Sequence, residues 1–383
     1  MEVKERESNI ELLRIFSMFL IVLFHLGYHG IILSNTFIES NIYINNIYLY
    51  FINILGKIGV NLFVLISGYF LVTKKKYNYK KILLFWLQIL LYSIIIYLVL
   101  TLVFKNNSIR LIEALMPLSY KKWWFATSYF ILYLIYPYIN ILINNLSKKD
   151  YKKLLIILTV ILSIWPMMIN KDIECNNLVW FIYLYLIGAY IKLYIKHTRN
   201  KKWFIYTAIS FIAALLLIIV LYRFKIDYNI IFGEYKYPTL LISIILFLSF
   251  LNLKTNNSKI INTIGKSTFG IYLLHDHIIL KNYIWYKLFK VNELYYQKNF
   301  IPKSLLIVLI VFIACFIIEL IRMTLEKYIL LFIDKKKKED KYEKKEINIW
   351  YIWKATIKRM DYFIITTRIC HVWSYYISTN ISK

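Results

Sequence analysis

The chain has 383 residues, 60% of them hydrophobic and 18% charged, with a net charge of +27 and a mean hydropathy of +0.57. That much apolar chain excludes a soluble globular protein and points to an all-α, polytopic membrane protein with no room for a second large soluble domain. Much of the lysine falls in short clusters between apolar runs, as in a membrane protein, so the charge argues against a nucleic-acid partner.

Ten apolar segments of spanning length follow in order: 10–33, 47–72, 82–104, 123–143, 153–169, 178–195, 203–222, 238–253, 260–280 and 302–333. The eighth is short, and the ninth carries Lys266 and the triplet His275-Asp276-His277. The first connection, 34–46, has no Lys or Arg, whereas the second carries Lys74, Lys75, Lys76, Lys80 and Lys81. Lys148, Lys149, Lys152 and Lys153 mark the fourth, and Lys196, Arg199, Lys201 and Lys202 the sixth. By the positive-inside rule these loops and both termini are expected in the cytoplasm of a cell membrane, which ten spans permit. The charged N-terminus and span-length first segment, with no small-residue cleavage site after it, predict a retained signal anchor. Residues 1–333 therefore read as one membrane domain and 334–383 as a basic, aromatic cytoplasmic tail that fits either an in-plane segment on the inner leaflet or a solvated extension. Cys175, Cys315 and Cys370 form no Cys-x-x-Cys pair, so no disulfide framework, zinc site or other metal centre is expected.

The first segment holds the most informative pair. Arg14 and His25 lie eleven residues apart, which places them on one helix face, about 16 Å apart along the axis. Ionisable groups at membrane depth are costly and mark function more often than not. Arg14 taken alone also fits a snorkelling anchor beside Glu11. A neutral imidazole tolerates burial and is a suitable general base near neutral pH. His29, one turn on, reads as interfacial, and a His25–His29 metal pair has no third ligand at useful spacing.

Later segments add candidates. In the second, Gly59, Asn61, Ser67 and Gly68 permit close packing, and Asn61 needs a partner inside the bundle. The Lys74-Lys75-Lys76 run beyond it is either a cytoplasmic anchor or a phosphate-binding mouth. Trp123 and Trp124 open the fourth segment and suit an aromatic belt or a sugar-stacking wall, followed by Tyr129, Tyr133 and Tyr136 on one face. His275 is a second histidine in the outer half, preceded by Tyr272. Glu319 and Arg322 are spaced to neutralise each other on the last segment.

Taken together, Asn9-Ile-Glu11-Leu-Leu-Arg14 with His25, Gly59-Val-Asn-Leu-Phe63 with Ser67-Gly68-Tyr69, Trp124-Phe125 with Tyr136-Pro137, and Ser267 through His275 resemble, in order, the landmarks of the membrane-bound acyltransferase 3 family of bacterial cell-surface O-acyltransferases. The resemblance covers roughly residues 8–333. It implies about ten helices and acetyl-CoA (or another acyl-CoA) as a co-substrate reached from the cytoplasm, with no bound cofactor. The acceptor it implies is a hydroxyl of a surface polysaccharide or lipid-linked glycan. Arg14 and His25 match the family's essential pair. Lys74, Lys75 and Lys76 stand where members often carry arginines, and lysine offers phosphate a point charge rather than a bidentate fork. His25 is expected as base and Arg14 with the lysines as the donor side. His275, Tyr272, Asn61, Ser67, Trp123 and Trp124 are expected around the substrates. The competing function is a polysaccharide or lipid-linked oligosaccharide exporter, which needs no Arg14–His25 pair and often shows internal repeats not visible here. Oligomeric state is not legible.

Overall fold

A computed structural model describes residues 7–33, 38–74, 78–103, 105, 109–171, 177–196, 202–331 and 354. Lys75, Lys76, Cys175, Cys370 and the tail apart from Lys354 lie outside the described residues. The described chain is mostly helical, with no strand among the described residues. That is the expected answer of an apolar backbone that must satisfy its own hydrogen bonds.

Among the described residues ten long helices are formed. They are α1 (Ser8–Ile32), α2 (Tyr43–Leu71), α3 (Tyr79–Val103), α4 (Trp124–Asn144), α5 (Lys148–Met168), α6 (Asn177–Tyr194), α7 (Lys202–Arg223), α8 (Tyr237–Leu251), α9 (Lys259–His275) and α10 (Phe300–Leu331). Eight are long and apolar enough to cross a membrane; α8 and α9, at 15 and 17 residues, are shorter. Local sequence sets several starts. Asn78 accepts from the Lys81 amide at 3.0 Å to cap α3, and Ser147 accepts from the Asp150 amide at 3.1 Å to cap α5. The ninth segment ends five residues earlier than expected, because the chain leaves the helix at Asp276.

The chain divides into two units, Met1–Glu319 and Leu320–Lys383, the boundary falling within α10. In the first unit α1 and α2 form the buried centre, while α3, α5 and α7 turn most of their apolar side chains outward, as lipid-facing helices do. The second unit's described parts are Lys354 and the end of α10, where Arg322 pairs with Glu326 at 2.5 Å.

Helix α2 packs against α1, α6 and α8. Its crossing with α6 is a backbone contact. A Cβ added at Gly68 would stand 2.2 Å from the Tyr185 carbonyl oxygen, and one at Gly188 would stand 2.2 Å from that of Leu65. Small residues let the two helices touch this closely. Either Gly68→Val or Gly188→Val should therefore cost at least about 1–3 kcal/mol and lower the melting temperature of the purified protein. An unshifted melting curve for both would contradict this packing. Nearby, Asn61 accepts from the Trp180 indole at 2.9 Å and donates to Ser243 Oγ at 3.2 Å, tying α2 to α6 and α8.

Candidate active site

Helix α1 lies alongside α9, which runs in the same direction, so Arg14 and His25 face Lys266 and His275 at matching levels. Gly265 makes the approach possible: a Cβ there would lie 2.3 Å from the Glu11 carboxylate. Between α1, α2, α3, α4 and α9 is a cavity of about 300 Å³. Its lining changes character along its length. Arg14, Lys81 and Lys266 supply three cations at one end. Arg14 also pairs with Glu11 at 2.6 Å, so Lys81 and Lys266 carry most of the uncompensated charge there.

Aromatic rings form the middle. Phe85 meets Phe269 at 4.7 Å, and Phe125, Tyr129 and Tyr133 stack in sequence with interplanar angles of 13° and 18°. Their i, i+4 spacing on α4 produces this ladder. Ser67 Oγ lies 2.8 Å from Tyr129 Oη and fixes the ring from α2. At the far end the wall is made by His25, Trp124 and Tyr272.

Behind His25 stands a buried polar set. His25 Nδ1 is 2.9 Å from His275 Nε2, and His275 Nδ1 is 2.6 Å from the Ile271 carbonyl. A carbonyl only accepts, so His275 carries its proton on Nδ1 and offers a lone pair at Nε2. His25 must then donate from Nδ1, which leaves its Nε2 as the lone-pair nitrogen. No hydrogen bond occupies that nitrogen among the described residues, and the ring lines the cavity. The hydrogen bonds thus hold His25 in the tautomer a base requires. Asp276 Oδ1 accepts from His29 Nε2 at 3.1 Å and lies 3.7 Å from His25 Nδ1, so one carboxylate faces both rings. The last turn of α1 is a π-turn, closed by the Leu33 amide on the Tyr28 carbonyl at 2.9 Å, and brings the His25 and His29 rings to 4.8 Å.

His25, His29 and Asp276 also bring three donor atoms within 4.8 Å of one another and could hold a metal ion. The sequence offered no third ligand because Asp276 is 247 residues from His29 and reaches it only through the α1–α9 packing.

Of the residues singled out from sequence, Arg14, His25, Ser67, Trp124 and Tyr272 line the cavity. His275 sits behind His25 rather than in the wall. Trp123 is buried beside the site, its indole donating to the Leu273 carbonyl at 3.1 Å. Asn61 lies in the helix-tying bonds already described, and Lys74 is exposed away from the cavity wall. Sequence reading noted Lys81 as a loop lysine and Lys266 and Asp276 as polar residues of the ninth segment without assigning them to the site, and it did not single out Gln88 or Phe85. Lys266 and Asp276 carried a signal, since each is an ionisable residue within an apolar segment; Lys81 was indistinguishable from its neighbours as a topology anchor.

Eight helices long and apolar enough to cross a membrane, packed around a cation-mouthed cavity, define the class: a multi-pass membrane protein. Residues 7–320 match the family model described as an acyltransferase domain. The chain belongs to that family, acyltransferase 3, and is a membrane acyltransferase. No curated protein and no solved structure gives a significant match.

Proposed function

We propose that the protein moves an acyl group, acetyl in the simplest case, from acyl-CoA to a hydroxyl of a cell-surface polysaccharide or lipid-linked glycan. The observation that carries this reading is one cavity with three cations at one end and the free Nε2 of His25 at the other. Arg14 and His25 stand about 16 Å apart along α1, a span suited to a donor with phosphates at its head and a thioester at the tip of a linear arm. Arg14, Lys81 and Lys266 meet the phosphates, and the lysine-rich loops, read by the positive-inside rule, support a cytoplasmic position for that end.

In the transfer, His25 Nε2 takes the proton of the acceptor hydroxyl as its oxygen attacks the thioester carbonyl carbon. Trp124 lines the same cavity as His25, and its indole N–H is the donor assigned to the resulting oxyanion. Collapse forms the oxygen ester and breaks the carbon–sulfur bond. The leaving thiolate receives the proton from the His25 imidazolium, so the enzyme returns to its starting state with no acyl-enzyme. Asp276 stabilises the imidazolium while it lasts.

Purified protein should release free CoA from acetyl-CoA only when glycan acceptor is present. The Lys81→Gln/Lys266→Gln protein should bind acetyl-CoA at least about tenfold more weakly, a loss of about 1.4 kcal/mol by calorimetry. The exposed pair Lys149→Gln/Lys152→Gln should leave the affinity unchanged. Unchanged affinity in the cavity double variant would reject the assignment of the donor end. Glycan movement without CoA release would mark an exporter instead.

A further inference from the structure

Resting on the acyl-CoA reading, we propose that Gln88 recognises the donor's arm: its side-chain carbonyl accepts a hydrogen bond from an amide N–H of the pantetheine-type chain that carries the thioester. Glu319 and Tyr92 act through it as positioning residues.

Helix α10 carries a buried carboxylate that acyl transfer does not use. Glu319, on α10, is 1% exposed. Its Oε2 accepts from the Tyr92 hydroxyl at 2.5 Å and its Oε1 from Gln88 Nε2 at 3.1 Å. A carboxylate receiving two donors only accepts, so the nitrogen of the Gln88 amide is committed to Glu319. The opposite atom, Oε1, has no protein partner among the described residues, and the side chain lines the cavity. Glu319 therefore sets the polarity of Gln88, turning its nitrogen inward and its acceptor toward the ligand.

The position of that acceptor identifies what it reads. Lys81, Phe85 and Gln88 follow at i, i+4 and i+7 on α3, so they share one face and all three line the cavity. From the mouth inward they present a cation, an apolar ring and, about 10 Å beyond the cation, a hydrogen-bond acceptor. Coenzyme A presents the complementary order: phosphate, a gem-dimethyl carbon, then two secondary amides before the sulfur. An acceptor on the third step meets an N–H that an all-hydrocarbon arm would lack. A site built to bond a polar group rejects the analogue without it more strongly than a purely apolar site does.

The test compares acetyl-CoA with its analogue in which both pantetheine amides are replaced by esters, using full-length purified protein, glycan acceptor and thiol release. In the wild-type protein the ester analogue should show a KM about tenfold higher, as expected for one lost hydrogen bond inside a cavity. Gln88→Leu should raise the KM for acetyl-CoA to that of the analogue and leave the analogue's KM unchanged. Glu319→Gln, which lets Gln88 turn its nitrogen to the cavity, should also erase the discrimination, and the loss in both variants should fall on KM rather than kcat. The wild-type comparison needs no variant to fold. Equal KM values for the two donors in wild type, or discrimination surviving in Gln88→Leu, would overturn the proposal while leaving acyl-CoA as donor. Absence of thiol release from either donor would overturn the acyl-CoA reading and this inference with it.

Discussion

A His25→Ala protein should insert, keep its helical content and lose acyl transfer by about 10²–10⁴-fold, the range expected on removing a positioned general base. The loss should fall on kcat, because the cations that hold the donor lie about 16 Å away along α1 and are untouched. His25→Gln is the sharper form. Glutamine keeps bulk and polarity, and its amide can still donate toward His275, but it cannot take a proton. Surface-glycan ester content, measured by NMR on cells expressing each variant, reports the same loss. Near-normal esterification by a correctly inserted His25→Ala protein would remove His25 from the chemistry.

Asp276→Asn should give the second largest effect. As the acceptor's proton arrives, His25 becomes a cation 3.7 Å from the Asp276 carboxylate in a buried setting. Two unit charges about 4 Å apart interact by about 4 kcal/mol at an effective dielectric of 20. If only half of that is realised in the transition state, the neutral amide slows kcat about 30-fold. Asparagine can still accept from His29 through its oxygen, so the change removes charge and little else. Donor affinity should be unchanged, since Asp276 does not line the cavity. The exposed substitution Asp150→Asn serves as the control for a carboxylate lost elsewhere. A kcat within twofold of wild type for Asp276→Asn would show that the imidazolium is stabilised by something else.

The helices were legible because each is a long apolar run, and that signal needs no tertiary information. Segment 10–33 became α1, Ser8–Ile32, and segment 302–333 became α10, Phe300–Leu331. Segment 260–280 ran too far because hydropathy does not register the turn at Asp276, where the helix stops. The site was legible in part for a similar reason. Arg14 and His25 sit on one helix, and eleven residues of spacing fix their common face. His275 stood out as a histidine at similar depth. Its hydrogen bond to His25 was invisible, since 250 residues separate them and only the α1–α9 packing joins them.

The donor end shows what spacing cannot decide. Lys74, Lys75 and Lys76 drew attention as a run of charge, yet Lys74 is exposed away from the cavity, and Lys75 and Lys76 lie outside the described residues. Lys81, one of several loop lysines by sequence, is the one whose position on α3 points it into the cavity with Phe85 and Gln88. Asn61 drew attention as a polar residue in an apolar run, and it does have partners in the bundle, Trp180 and Ser243. A buried amide needs a partner either way, and sequence does not say whether that partner is protein or substrate.

The most direct measurement follows a labelled acyl group. Purified protein in proteoliposomes is supplied with acyl-labelled CoA and a de-esterified surface glycan. Label should appear as an ester on glycan hydroxyls, with one CoA thiol released for each ester formed, and the His25→Gln protein should produce neither. Glycan that crosses the bilayer with no ester formed and no thiol released would contradict acyl transfer as the activity of this chain.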